Sequence, residues 1–383
     1  MKNKQVPITL LTGYLGSGKT TLINHILTNQ QNKKIAVIVN DIGEVNIDAN
    51  LIEKGGIVTE RDESLVALSN GCICCNLKMD LVKQIIDIIK QDKFDHIVIE
   101  ASGICEPLPI AETIVAIPEM LTTTTNEDIC KLDSIITVVD ALRLKEEFNC
   151  GNNLKQENLK DEDIEKLIIE QLEFCNIIVL NKTDEVTKEE LNEIKAIIKS
   201  IQPKAKIIET NYSKVDINQI LDTNTFNIEE TPMSAGWIEA LENSNHDHEH
   251  EHEHESGEAL EYGIQTFVYY RRSPMNRNLF CKWLDEKWDK SIIRTKGMVY
   301  FTDDFDNAYM VESAGNSKNL VNTGPWVCAM PPEEQKFILE QIPDIKEIWD
   351  EEYKDRMNKI VIIGKNIDKE TIIAKLDSFL DLE

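Results

Sequence analysis

The chain has 383 residues, with 41 Lys and Arg against 68 Asp and Glu and a formal net charge of −27, so attraction to DNA, RNA or anionic lipid is not available to it as a whole. Its length suits two domains with separate cores, and no uninterrupted run approaches the roughly 18 apolar residues of a membrane span. Nine cysteines, an odd number in a large chain read as having no secretion signal, fit a reducing cytoplasm and a soluble protein.

In chain order, Met1-Lys2-Asn3-Lys4 leads into an apolar run too short for a signal peptide, and Val6 to Thr12 reads as a buried first strand. Gly13-Tyr14-Leu15-Gly16-Ser17-Gly18-Lys19-Thr20 then fits G-x-x-x-x-G-K-[S/T], and Thr21 to Thr28 carries Leu22, Ile23, Ile26 and Leu27 at helical spacing. Strand, glycine loop and helix form the context in which this pattern cradles a polyphosphate. Gly13, Gly16, Ser17 and Gly18 supply inward-turned N–H groups, and Lys19 reaches the β/γ-phosphates. Thr20, followed by Thr21 in the first turn, is placed to ligate magnesium, and the helix N-terminus adds a favourable partial charge.

Further β-rich runs follow at Ile35 to Val39, His96 to Glu100, Ile135 to Asp140, Ile177 to Leu180 and Ala205 to Ile208, with helical patterns between them. This alternation predicts an α/β fold with a mostly parallel sheet and helices on both faces, whose ligands sit at the carboxyl ends of the strands. The loop and Asn40, Glu100, Asp140 and Asn181 all fall there. Residues 40–48, Asn-Asp-Ile-Gly-Glu-Val-Asn-Ile-Asp, carry the glycine and acids of a segment able to respond to a γ-phosphate, and Glu44 lies in it.

Gly71-Cys72-Ile73-Cys74-Cys75 puts three thiols within four residues, just before an amphipathic helix marked by Leu77, Leu81, Ile85 and Ile88. Thiolates are soft ligands that favour Zn(II) or Cu(I), and a helix N-terminus lowers their pKa, so Cys72, Cys74 and Cys75 read as a zinc site. Three ligands leave a fourth position for solvent, Cys105, a carboxylate of 40–48 or a recipient protein, which suits transfer. Glu100, ending a strand ahead of Ala101-Ser102-Gly103, is the expected magnesium-side acid. Asn181-Lys182-Thr183-Asp184 resembles the N-K-x-D element of GTPases. Its aspartate accepts from guanine's ring N–H and amino group together, whereas adenine would set an acceptor against it.

No Lys or Arg occurs between Lys214 and Arg271, and that gap holds the alternating His246-Asp247-His248-Glu249-His250-Glu251-His252-Glu253-His254-Glu255. Such a tract cannot bury a core; it reads as a disordered linker over 227–262 whose imidazoles offer weak, multivalent metal capture. The linker divides a nucleotide domain over 1–226 from a smaller α+β domain over 263–383. The second domain has expected strands at Ile264 to Tyr270, Ile292 to Phe301, Ala308 to Glu312 and Ile360 to Ile363, and helices near Arg277 to Trp288, Pro332 to Ile342 and Lys369 to Leu380.

With these motifs in this order, the chain resembles the CobW-type P-loop GTPases, a group related to the nickel-delivery GTPases of urease and hydrogenase maturation. The likeness extends past the linker, through Phe267-Val268-Tyr269-Tyr270-Arg271-Arg272-Ser273-Pro274, Lys296-Gly297 and Gly324-Pro325-Trp326. It implies slow hydrolysis of GTP with Mg(II), zinc at the C-x-C-C motif and delivery of metal to a client metalloenzyme. Lys19, Glu100 and Glu44 are then the catalytic candidates, and Asn181, Lys182 and Asp184 hold the base. Two departures stand out: Asp41 and Ile42 replace the glutamate and phenylalanine of the family's N-E-F-G-E segment, and Ser102 stands where threonine is usual. A shorter carboxylate at 41 reaches about one methylene less, while Glu44 keeps its place. Beside this reading stand a regulatory GTPase with a static structural zinc, a chaperone for cobalt or nickel, and a small-molecule kinase, for which neither domain shows an acceptor pocket. A homodimer is compatible with all of them.

Overall fold

The computed structural model describes residues 5–30, 33–39, 65–67, 78–122, 129–148, 161–227, 263–286, 288–289, 291–314, 317–341 and 344–381. The chain divides into two compact units, Met1–Glu146 with Leu167–Ala235, and Glu147–Lys166 with Gly236–Glu383. Among the described residues, no helix is long and apolar enough to cross a membrane.

The first unit is built on strands β1 (Val6–Thr12), β2 (Ile35–Val39), β3 (Leu65–Ala67), β4 (His96–Glu100), β5 (Cys130–Asp140), β6 (Ile177–Asn181) and β7 (Lys206–Glu209). They form one sheet in the order β3-β2-β4-β1-β5-β6-β7, and every pairing is parallel. A parallel sheet needs cover on both faces, which is why its strands read as nearly unbroken Val, Ile and Leu. β2, β4 and β6 are buried along their whole length. The cover includes α1 (Lys19–Thr28), α2 (Lys78–Lys90), α3 (Pro107–Thr122), α4 (Ala141–Phe148), α5 (Asp161–Glu173, in this unit from Leu167) and α6 (Lys188–Ile201). α6 starts at a capping box in which Thr187 and Glu190 satisfy each other's backbone N–H groups. One core runs from Leu22, Ile23 and Ile26 of α1 across Leu11, Val37, Val98, Ile136 and Val179 of the sheet. Since all strands run the same way, Thr12, Val39, Glu100, Asp140 and Asn181 end on one edge.

The second unit is an antiparallel sheet of β8 (Ile264–Arg271), β9 (Ile292–Phe301), β10 (Asp304–Ala314), β11 (Ser317–Pro325) and β12 (Asn358–Lys365), ordered β11-β10-β9-β12-β8. α7 (Arg277–Glu286) and α10 (Lys369–Asp377) pack on one face through Phe280, Trp283, Ile372 and Leu376, which meet Phe267, Phe301, Ile360 and Ile362. α8 (Pro332–Gln341) and the short α9 (Asp344–Glu347) lie between β11 and β12 in sequence. Tyr300, Ala308, Trp326 and Met357 make a smaller second cluster. The alternation of residue faces along β9, with Val299 and Phe301 in the first cluster and Tyr300 in the second, is the period-two pattern of a strand covered on both sides.

Candidate functional site

The chain leaves β1 at Thr12 and enters α1 at Lys19 through a loop whose glycines 13, 16 and 18 have φ of 135°, 77° and 113°. A Cβ on Gly13 would lie 2.3 Å from Val138 O, and one on Gly18 2.4 Å from Asn181 Nδ2, so only bare backbone fits between β5 and β6. Lys19 is buried, and its Nζ donates to Gly13 O at 2.8 Å and Tyr14 O at 3.3 Å, folding the ammonium back along the loop. Thr20 is half-buried and Thr21 exposed in the first turn of α1. Bare glycine backbone, a helix N-terminus and a buried ammonium are the donor set a polyphosphate requires.

Glu100, 1% exposed, ends β4 in register with Leu11 of β1 and Val39 of β2. The chain continues along the loop: Ala101 N–H donates to Leu11 O at 2.9 Å, and Gly103 lies against Leu15. On the other side, the Arg143 guanidinium stacks 4.1 Å above the Tyr14 ring, while Arg143 N–H donates to Asp140 Oδ1 at 3.2 Å. A small cavity of about 20 Å³ is lined by residues that include Tyr14, Ser17, Val138, Arg143 and Gln171.

Asn181 joins the two halves of the site. It is buried; its Nδ2 donates to Ser17 O in the glycine loop at 2.9 Å, and its Oδ1 accepts Ser213 N–H at 2.9 Å. Ser213 Oγ in turn donates to Gly18 O at 3.0 Å. Lys182, at a left-handed φ of 58°, pairs its ammonium with Asp140. Asp184 is exposed, and its N–H donates to Asn211 Oδ1 at 3.0 Å. The structure therefore brings Gly13, Gly16, Ser17, Gly18, Lys19, Thr20, Glu100, Asn181, Lys182 and Asp184 to one edge of the sheet.

Sequence reasoning did not single out Asn211, Ser213 or Arg143. The signal for the first two lay in the rule already applied to the other strands: β7 also delivers its carboxyl end to this edge, and a polar loop follows it. Glu44, Cys72, Cys74, Cys75 and the 246–255 tract lie outside the described residues. Among those described, no group of three His, Cys, Asp or Glu side chains is placed to hold a metal ion. Cys105, Cys130 and Cys175 are buried; burial pushes the Cys175 thiol up to about 12, and burial with the Asp355 carboxylate pushes Cys328 to about 12. Cys175 and Cys328 are protonated at neutral pH, and Cys175 serves as a small packing group.

A parallel sheet with a glycine loop at the strand ends and an N-K-x-D loop bonded to it defines a P-loop nucleotide-binding protein. Residues 7–209 match the CobW/HypB/UreG nucleotide-binding domain, and residues 264–380 match the cobalamin synthesis protein cobW C-terminal domain. The chain belongs to the CobW/HypB/UreG family. It is 34% identical over 385 residues to zinc-regulated GTPase metalloprotein activator 1 of Dictyostelium discoideum, covering 97% of this chain and 78% of that one. The Schizosaccharomyces pombe protein of the same name is 38% identical over 243 residues, covering 63% of this chain and 54% of that one. The zinc chaperone YjiA of Escherichia coli is 32% identical over 237 residues, covering 60% of this chain and 65% of that one.

Proposed function

We propose that this chain is a metallochaperone that carries zinc on Cys72, Cys74 and Cys75 and passes it to a client metalloprotein under nucleotide control. It is a GTPase, as its family and its relatives' names state, and its substrate is GTP with Mg(II). The glycine-loop amides and Lys19 hold the β/γ-phosphates, Thr20 holds magnesium, and Glu100 positions magnesium or the attacking water. Asn181, Lys182 and Asp184 hold guanine. Magnesium, when bound, neutralises charge that develops on the phosphates. Glu44 belongs to the segment that senses the γ-phosphate, and the cysteines fall between it and Glu100 in the chain, so nucleotide and metal are coupled. The 1–226 domain does the chemistry, and the 246–255 tract captures metal weakly. The protein works in the cytoplasm, and a second copy is compatible with the scheme.

The observation that carries the nucleotide half is the Asn181 bridge, which makes the base-reading loop and the phosphate loop one body. The metal half rests on the three clustered thiols and on the zinc in the relatives' names. Zinc titration of the reduced protein, with and without a non-hydrolysable GTP analogue and Mg(II), tests the whole. One tight site is expected, lost in Cys74→Ala, shifted by nucleotide, and retained when 246–255 is deleted while weaker sites disappear. Equal zinc affinity in every nucleotide state would make the metal a static brace and overturn the carrier reading.

A further inference from the structure

Tyr14 is the second residue of the glycine loop, and its carbonyl is a junction within it. Tyr14 O accepts Ser17 N–H at 3.2 Å, closing a turn centred on Leu15 and Gly16, and it accepts the Lys19 ammonium at 3.3 Å. The position of this one peptide therefore sets both the fold of the loop's middle and where the ammonium rests. Leu15 and Gly16 are exposed, and among the described residues a Cβ on Gly16 would meet no atom within 4 Å. Glycine backbone next to open space is the part of a chain with the most conformations to lose, so a loop built this way gains from an anchor outside it.

That anchor is the Tyr14 ring. The Arg143 guanidinium carbon lies 4.1 Å from the ring centroid, well inside the range over which a cation is drawn to an aromatic face. Arg143 is itself fixed, because it is the third residue of α4 and Asp140 caps that helix by accepting Arg143 N–H at 3.2 Å. Ala141 and Leu144, to either side, are buried at 0% and 1% exposure, so the start of α4 is built into the core of the unit. A flat guanidinium that stays charged at every ordinary pH is thus held by a rigid element over the one ring the loop carries. A loop already held in the shape its ligand needs binds more tightly, since no further ordering is required on binding.

We propose that Arg143 is a positioning residue for the phosphate loop: stacked on Tyr14, it holds the Tyr14 carbonyl, and through it the Ser17 amide and Lys19, in place for a polyphosphate. The inference rests on the phosphate site proposed for residues 13–20. A brace of this kind acts alike on the bound substrate and on the transition state, so its removal falls on KM rather than on kcat; an arginine that neutralised charge on the reacting phosphate would show the opposite split. The test measures GDP binding and GTP hydrolysis by the full chain, by Arg143→Met, by Tyr14→Leu and by the two together. Each single variant is expected to bind GDP about tenfold more weakly, with KM for GTP rising alongside, and the double variant to lose no more than either. Tyr14→Phe keeps a ring face and Arg143→Lys a cation, and each is expected to lose less than its harsher counterpart; the same cycle run with Arg143→Lys covers the case in which Arg143→Met does not fold. Wild-type GDP affinity in the Arg143 variants, a fall in kcat at unchanged KM, or losses that multiply in the double variant would each overturn the proposal. Lys19→Ala isolates the underlying reading. If it binds GDP as the wild-type chain does, the phosphates lie elsewhere and both claims fall, whereas loss of GDP in Lys19→Ala with full binding in Arg143→Met removes only this one.

Discussion

Gly18 sits where the glycine loop touches Asn181 and Ser213. Its φ of 113° lies outside the range of most side chains, and a Cβ there would fall 2.4 Å from Asn181 Nδ2 and 2.8 Å from Ser213 Oγ. Neither neighbour is a loose chain end, because Asn181 is buried between Ser17 O and Ser213 N–H. Gly18→Ala is therefore expected to break the Asn181 bridge as well as strain the backbone. Strain of this kind costs about 1–3 kcal/mol of folding stability, which a core of this size survives. Binding of a fluorescent GDP analogue is expected to fall at least about a hundredfold, since the loop amides and the N-K-x-D loop lose their common register. Denaturant melts and nucleotide titrations on the same preparation check it; wild-type affinity in the variant would mean that the bridge does not organise the site.

At the scale of elements, the opposite edge of the same sheet holds a polar network around a buried histidine. His96 begins β4 fully buried, with Nε2 2.8 Å from Thr9 Oγ1 of β1 and Nδ1 3.1 Å from Asp222 Oδ1, which also pairs with Lys33. Burial holds the His96 pKa below 6.5, although Asp133 and Asp222 pull it upward. The imidazole is thus neutral: Nδ1–H donates to Asp222, and Nε2 accepts from Thr9. For Asp222 burial works against ionisation, but Lys33 and His96 keep its carboxyl below 3.8. The sign follows for both groups. The unfolded chain takes up a proton at His96 first, so stability is complete above about pH 6.5 and is lost as pH falls through the folded value, with Asp222 adding a further loss below about pH 4. Urea denaturation between pH 7 and 5 is expected to show falling stability in the wild-type chain and a flatter profile in His96→Gln; the same slope in both would clear His96 of the effect.

This network also shows what was legible in the sequence. Val6–Thr12, Ile35–Val39 and His96–Glu100 read as strands with the bounds the structure gives them, because strands buried on both faces spell themselves as apolar runs ended by polar residues. The same rule put Glu100, Asp140 and Asn181 at one edge. It started β5 at Ile135 rather than Cys130, because Asp133 and Ser134 interrupt the apolar run. Asp133 is buried only because its carboxylate accepts the N–H groups of Thr223 and Asn224, about ninety positions away in the chain. β11 escaped notice for another reason: at the sheet edge, paired among the described residues with β10 alone, Ser317–Pro325 needs few apolar residues. Asn211 and Ser213 were invisible because the groups they bond, at Gly18 and 181–184, are far away in the chain and no local pattern announces them.

At the scale of the whole molecule, two separate cores imply two separable stabilities. The first is aliphatic and is capped by the nucleotide loop; the second is rich in aromatic rings, with Phe280 in contact with Trp283, Phe301 and Phe379. The described residues of the proposed nucleotide site, from Gly13 to Asp184, belong to the first unit. A ligand that binds only the folded form stabilises the unit that binds it, by about 2.7 kcal/mol at a hundred times its dissociation constant. For a unit of this size that corresponds to roughly 5–10 °C in melting temperature. Calorimetry of the full chain is therefore expected to resolve two transitions, of which a non-hydrolysable GTP analogue with Mg(II) raises one and leaves the other in place. Lys19→Ala, lacking the ammonium that faces the loop, is expected to keep both transitions and lose the shift. If instead a single transition carried all the heat and moved as one with nucleotide, the two cores would melt as a single cooperative body. Nucleotide state would then be felt directly in the stability of the C-terminal sheet.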